Sequence, residues 1–171
     1  RSLLDHVLDA VAEVTDVTVL VLAPDETPAG IPSRVRLAHD RDAYAGPLAG
    51  LAAGLEAAHD ADLALVVGAD MPSLQPEVLR LMLDRAGEPG GPDAWTLEGP
   101  DPSLVGPLPL AGRAAVLRAA ATQLVIDGEH SLRSLVGKLG AGRIAAADWR
   151  PLDPEALTLR DVDRPGDLPP G

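Results

Sequence analysis

A chain of 171 residues has room for one hydrophobic core that buries about 70% of its unfolded surface. Its net charge of −12, with Lys138 the only lysine beside thirteen arginines, excludes a nucleic-acid partner held by phosphate neutralisation. The absence of cysteine excludes disulfides, thiolate metal sites and cysteine nucleophiles.

With no Phe, and only Trp95, Trp149 and Tyr44 as aromatics, base-stacking platforms are not expected and the core must be built from Leu, Val and Ala. No apolar run approaches the roughly 20 residues that cross a bilayer, and no basic-then-apolar leader opens the sequence. Together with the missing cysteine, this predicts a cytoplasmic protein. A chain this acidic that handled a polyphosphate would need a divalent cation to bridge the like charges.

In chain order, residues 1 to 14 place Leu3, Leu4, Val7, Leu8 and Val11 on one face at helical spacing. Val17 to Ala23 (VTVLVLA) is a continuous apolar run ended by Pro24, the pattern of a buried strand. A Pro/Gly-bearing loop, Asp25 to Pro32, leads to a short strand at Val35 to Ala38 and then to the polar stretch HDRDAYA. Gly46 to Gly50 (GPLAG) opens a helix with Leu48, Leu51 and Leu55 on one face. Its glycines admit either of two readings: close approach of an anion to the helix N-terminus, or a turn and room for a neighbouring strand.

Leu63 to Leu74 (LALVVGADMPSL) reads as a strand buried on both faces of a parallel sheet, with Asp70 at its carboxyl end. That edge of an open α/β sheet is where ligands bind, so Asp70 either holds a metal ion or polar ligand or caps the next turn. Pro76 starts a helix carrying Val78, Leu79, Met82 and Leu83, and the linker Gly87 to Asp93 is a loop rather than a domain boundary. Strands are predicted at Ala94 to Leu97 and Leu108 to Leu110, around an irregular loop from Glu98 to Pro107. Amphipathic helices follow at Arg113 to Leu124 and Leu132 to Leu139, the second capped by Ser131 and carrying Lys138 at its C-terminal end. Arg143 to Ala147 and Leu157 to Val162 read as the last strands, the latter running into Asp161 and Asp163. Strands alternating with helices predict a single three-layer α/β/α domain.

His6, His39, His59 and His130 lack the spacing of a helical zinc site, and no GxSxG elbow supports a serine hydrolase. The carboxylates are more informative. Asp40 and Asp42 precede the Gly-bounded helix, Asp70 follows one strand, and Asp161 and Asp163 close another. Neighbouring parallel strands would bring these acids to one edge, where two of them suit Mg2+ bound against a nucleotide.

The order DRDAYAGPLAGLAAGL, LALVVGADMPSL, DGEHSLRSL and LRDVDRPGDL closely resembles the molybdenum cofactor guanylyltransferase family of nucleotidyltransferases, over Arg1 to Leu168. The resemblance implies a Rossmann-like α/β/α nucleotidyltransferase fold and transfer of GMP from GTP to the phosphate of molybdopterin, with release of pyrophosphate. It assigns Asp70 to catalysis, nucleotide contact and Mg2+, Asp40, Gly46 and Gly50 to the nucleotide, and Asp163 to completion of the metal site. Asp161 and Asp163 stand where many relatives carry Asn in an NxNTPEDL pattern, which keeps oxygen ligands but adds charge. The family's LAGGxSxRMGxxK motif, which forms the first strand and the triphosphate loop, is absent. Either the chain is an N-terminally incomplete copy of an enzyme, in which case this fragment is inactive, or it is a degenerate binding module. A relative using CTP or a different acceptor fits the same motifs.

Overall fold

The computed structural model describes residues 2–26, 28–40, 46–99 and 106–161. Helix α1 (Leu3–Ala12) begins one residue after a reciprocal cap. The Asp5 N–H donates to the Ser2 hydroxyl at 3.2 Å and the Ser2 N–H to the Asp5 carboxylate at 2.7 Å, which satisfies two otherwise orphaned donors. Strands β1 (Thr18–Leu22) and β2 (Val35–His39) pair in parallel. Next come α2 (Pro47–Ala57), β3 (Leu63–Val66), α3 (Pro76–Gly87), β4 (Ala94–Leu97), β5 (Leu110–Arg113), α4 (Ala114–Ile126), α5 (Leu132–Leu139), β6 (Gly142–Ile144) and α6 (Ala146–Trp149).

The second sheet has the order β3-β5-β4-β6, with β5 antiparallel to both β3 and β4, and β6 parallel to β4. Successive side chains therefore alternate between two helical layers. Leu110, Ala64 and Val66 face α2, α4 and α5, where Leu48, Leu55, Leu117 and Leu135 are buried. Ala111, Leu97 and Ile144 face α3 and α6, where Val78, Met82 and Trp149 are buried. A third cluster joins Val7 and Val11 of α1 to Leu79, Met71 and Leu74. The architecture is the expected α/β/α arrangement, with a mixed rather than parallel sheet.

Several local expectations are corrected. The strand expected to end on Asp70 stops at Val66, and its residues are only partly buried. Among the described residues β3 pairs only with β5 and β1 only with β2, so each keeps one edge without a ladder partner. The two sheets are joined instead through helices, α2 packing on β1 and on α4, and α1 on β1 and on α3. The strand expected at Leu108 to Leu110 begins two residues later, after Pro109, which has no N–H to donate. Arg143 to Ala147 splits into β6 and α6, because the Glu98 carboxylate accepts the Ala146 N–H at 2.7 Å and so starts a helix there.

The largest difference lies at Leu157 to Val162. Leu157–Leu159 is a 3₁₀ turn, not a strand. The buried Asp153 accepts N–H bonds from Leu157 at 3.0 Å and Thr158 at 2.8 Å, which curls this segment away from any sheet edge. Asp42 and Asp163 lie outside the described residues.

Candidate active site

Asp70 is carried on a tight turn after β3. The Met71 N–H donates to the Gly68 carbonyl at 3.3 Å, and the Gly68 N–H meets Met71 Sδ at 3.3 Å. Met71 and Leu74 are buried in the α1–α3 cluster, so the turn is anchored from below while Asp70 stays exposed on top. A Cβ on Gly68 would run into Asp70 Oδ1, so a glycine is needed for the carboxylate to sit where it does.

Two further ties close this side of the molecule. The Gln75 N–H, at the entry to α3, donates to the Thr158 hydroxyl at 3.1 Å, and Thr158 is in turn held by Asp153. The indole of the buried Trp149 donates to the Glu98 carbonyl at 3.1 Å. A cavity of about 530 Å³ has a wall that includes Asp70, Leu108, Arg150, Glu155, Arg160 and Asp161. Two arginines and three acidic residues thus belong to the wall of one cavity.

The other predicted residues gather elsewhere. Asp40 directly follows β2, its N–H donating to the Leu22 carbonyl at 2.9 Å. A Cβ on Gly50 would lie 4.0 Å from Asp40 Oδ2 and 3.5 Å from Val21 Cγ1, so Asp40 stands beside the first turn of α2. Gly46 caps that helix at φ 90°, a backbone region that favours glycine, and a Cβ there would meet His130 at 3.0 Å. The His130 carbonyl also accepts the Leu48 N–H at 3.3 Å, so the segment before α5 buttresses the start of α2. Gly54 makes room for Val21, whose Cγ2 would be 2.8 Å from an added Cβ. Turn geometry and packing account for glycine at 46 and 54, and the start of α2 around Gly46 and Gly50, beside Asp40, is the nucleotide candidate.

Strands β2 and β3 are connected through α2 but belong to separate sheets among the described residues. Asp40 and Asp70 each follow a strand, but Asp40, Gly46 and Gly50 do not line the cavity that Asp70 lines. Among the described residues, no group of three or more His, Asp or Glu side chains converges as a metal cage. Mg2+ needs only one or two carboxylates, with water and phosphate oxygens for the rest, and the hard oxygen donors of Asp70 and Asp161 around one cavity meet that requirement.

Sequence reasoning missed Arg150, Arg160 and Asp153. An Arg after a Trp, or an Asp four residues before a Leu-Thr-Leu run, has no spacing that marks it. Ser131, by contrast, caps α5 as expected, accepting the Arg133 N–H at 3.1 Å.

None of the curated proteins matches this chain. Among solved structures it is similar to molybdopterin-guanine dinucleotide biosynthesis protein A from Archaeoglobus fulgidus, with 22% identity and a TM-score of 0.75 over 98% of this chain and 82% of that one. It is similar also to 2-C-methyl-D-erythritol 4-phosphate cytidylyltransferase from Thermus thermophilus, with 21% identity and a TM-score of 0.73 over 98% and 85% of the two chains. A putative protein from Aquifex aeolicus shares the fold at 12% identity and a TM-score of 0.69, over 95% and 79% of the two chains. Among the described residues, no helix is long and apolar enough to cross a membrane. The model of the MobA-like NTP transferase domain matches residues 1–143, and the chain belongs to that family of nucleotidyltransferase domains.

Proposed function

We propose that the protein transfers GMP from GTP to the phosphate of a molybdopterin-type acceptor, with Mg2+ and with release of pyrophosphate, in the cytoplasm. The observation that carries the reading is the exposed carboxylate of Asp70, whose position requires glycine at 68, on a turn after β3 that lines a cavity together with two arginines. In the reaction an oxygen of the acceptor phosphate forms a bond to the α-phosphorus. The bond from that phosphorus to the bridging oxygen breaks, and its electron pair leaves with pyrophosphate. A phosphate monoester is already largely dianionic near neutral pH, so no protein base is needed.

Bound Mg2+ would neutralise the charge that develops on the phosphate oxygens. Asp70, with Asp161 or Asp163, is assigned to hold it. Asp40 and the face of α2 around Gly46 and Gly50 bind and orient the nucleotide, and the work of this chain is positioning and electrostatics. Among the described residues, β1 and β3 each keep one edge without a ladder partner, whose backbone donors and acceptors can pair with an extended segment.

In the intact protein, replacement Asp70→Asn is expected to abolish Mg2+-dependent pyrophosphate release from GTP, and unchanged activity would remove the central assignment. The likeness to a cytidylyltransferase supports a second reading, with CTP as donor. Parallel assays with GTP, CTP and ATP separate the two.

A further inference from the structure

The cavity beside Asp70 has a wall that the nucleotide assignment leaves unused. Asp40 follows β2, which pairs with β1 in a sheet separate from that of β3 among the described residues. Asp70 follows β3, and the loops around β5, β4 and β6 come next. Arg150 and Arg160 belong to the segment after β6 and line the cavity beside Asp70, which Asp40 and α2 do not line.

Arg150 is placed by its neighbours. Its guanidinium carbon lies 5.7 Å from the centroid of the Trp149 ring, a cation–π arrangement. That ring is fully buried and fixed by its bond to the Glu98 carbonyl. Arg160 is steadied by a 3.3 Å bond from one guanidinium nitrogen to the Glu155 carbonyl. Neither arginine forms an ion pair with another described residue, although the chain is strongly acidic and Arg34, Arg36, Arg85 and Arg113 all do. Two oriented guanidinium forks with spare donors, in a cavity shared with Asp70, make a receptor for a phosphate group.

We infer that Arg150 and Arg160 bind the phosphate of the acceptor in the cavity beside Asp70, which Asp40 does not line. This rests on the transferase reading and names the residues that select a phosphorylated acceptor. The two arginines neutralise the dianion while leaving one oxygen free to form the new bond to the α-phosphorus. Because the nucleotide is assigned to Asp40 and α2, which do not line this cavity, the two phosphate-bearing ligands have separate sites, with Asp70 assigned to both.

The test uses inorganic phosphate and glycerol 3-phosphate as probes, followed by backbone amide NMR, beside calorimetric titration with Mg2+ and GTP. In the wild type both probes are expected to shift the amides of residues 70–71 and 150–161. Arg150→Gln and Arg160→Gln each weaken probe binding about tenfold, the loss expected for a charged hydrogen-bonding group. GTP affinity stays within about twofold of wild type.

Loss of GTP affinity in parallel with probe affinity would overturn the inference, because the arginines would then belong to the triphosphate site. Unchanged probe affinity in both variants, or no probe shifts in the wild type, would overturn it too. Arg160 is exposed and carries no core packing, so its variant remains informative if Arg150→Gln unfolds. Absence of GTP binding in the wild type with arginine-dependent probe shifts intact would count against the transferase reading and for the phosphate site.

Discussion

Replacing Asp153 by Ala probes what holds the site's C-terminal wall. The Asp153 carboxylate is 3% exposed and accepts two backbone N–H bonds, from Leu157 and Thr158. A hydrogen bond to a charged group contributes about 1.5 to 3 kcal/mol net, and both donors would be left without their acceptor. The Thr158 donor is buried and the Leu157 donor only partly so, which favours the lower half of the range. The expected loss is about 3 to 4 kcal/mol, or roughly 6 to 16 °C in Tm for a domain of this size.

Urea unfolding followed by tryptophan fluorescence measures it, since Trp149 sits at the start of the same segment. Asp153→Asn, which keeps one acceptor oxygen, should lose about half as much. A loss below about 1 kcal/mol for Asp153→Ala would refute the reasoning and show that packing alone holds the 3₁₀ turn. The phosphate probes supply a second readout. Thr158 also accepts the Gln75 N–H, so release of the turn should free Arg160 and Asp161 and weaken probe binding with them.

Gly68→Ala is expected to change stability by less than about 1 kcal/mol, because an exposed carboxylate can swing aside, yet to lower pyrophosphate release much as Asp70→Asn does. Full activity in Gly68→Ala would show that the position of Asp70 is unimportant. Asp60 accepts hydrogen bonds from Arg36 at 3.2 and 3.5 Å, and this partner holds its carboxyl below the ordinary range. A depressed folded pKa gives stabilisation that is present above the unfolded value and fades as pH falls through the folded one. Wild type should therefore lose a small, salt-sensitive advantage over Asp60→Asn below about pH 4, and identical acid titrations of the two proteins would contradict the pairing. In β1 and β3, the amides that point away from β2 and β5 should exchange hydrogen faster than those inside the ladders, and equal protection would mean that both edges are covered.

Helical elements were the most legible from sequence. The periodicity that starts at Leu3, Ser2 at its cap, Pro76 at a first turn and Ser131 before Leu132 all act within a few residues, so the structure keeps them. The apolar runs at Thr18–Leu22 and Leu63–Val66 are strands for the same local reason. Their partners were not legible, because pairing joins residues distant in the chain, and an antiparallel β5 beside β3 leaves no mark on either run.

At the site the division is sharper. Composition and local pattern determined the layered α/β class, the acidic loops and the prominence of Asp70, since each depends on residue type and short-range spacing. Tertiary structure alone decided that Leu157–Leu159 leaves the sheet, because the force that turns it comes from the buried Asp153 carboxylate and not from its own β-like residues. It also decided that Arg150 and Arg160 face the space beside Asp70, some eighty to ninety residues along the chain. A carboxylate signals its place by the strand before it. A guanidinium on an irregular segment is placed only by what it folds against, here the ring of Trp149 and the carbonyl of Glu155.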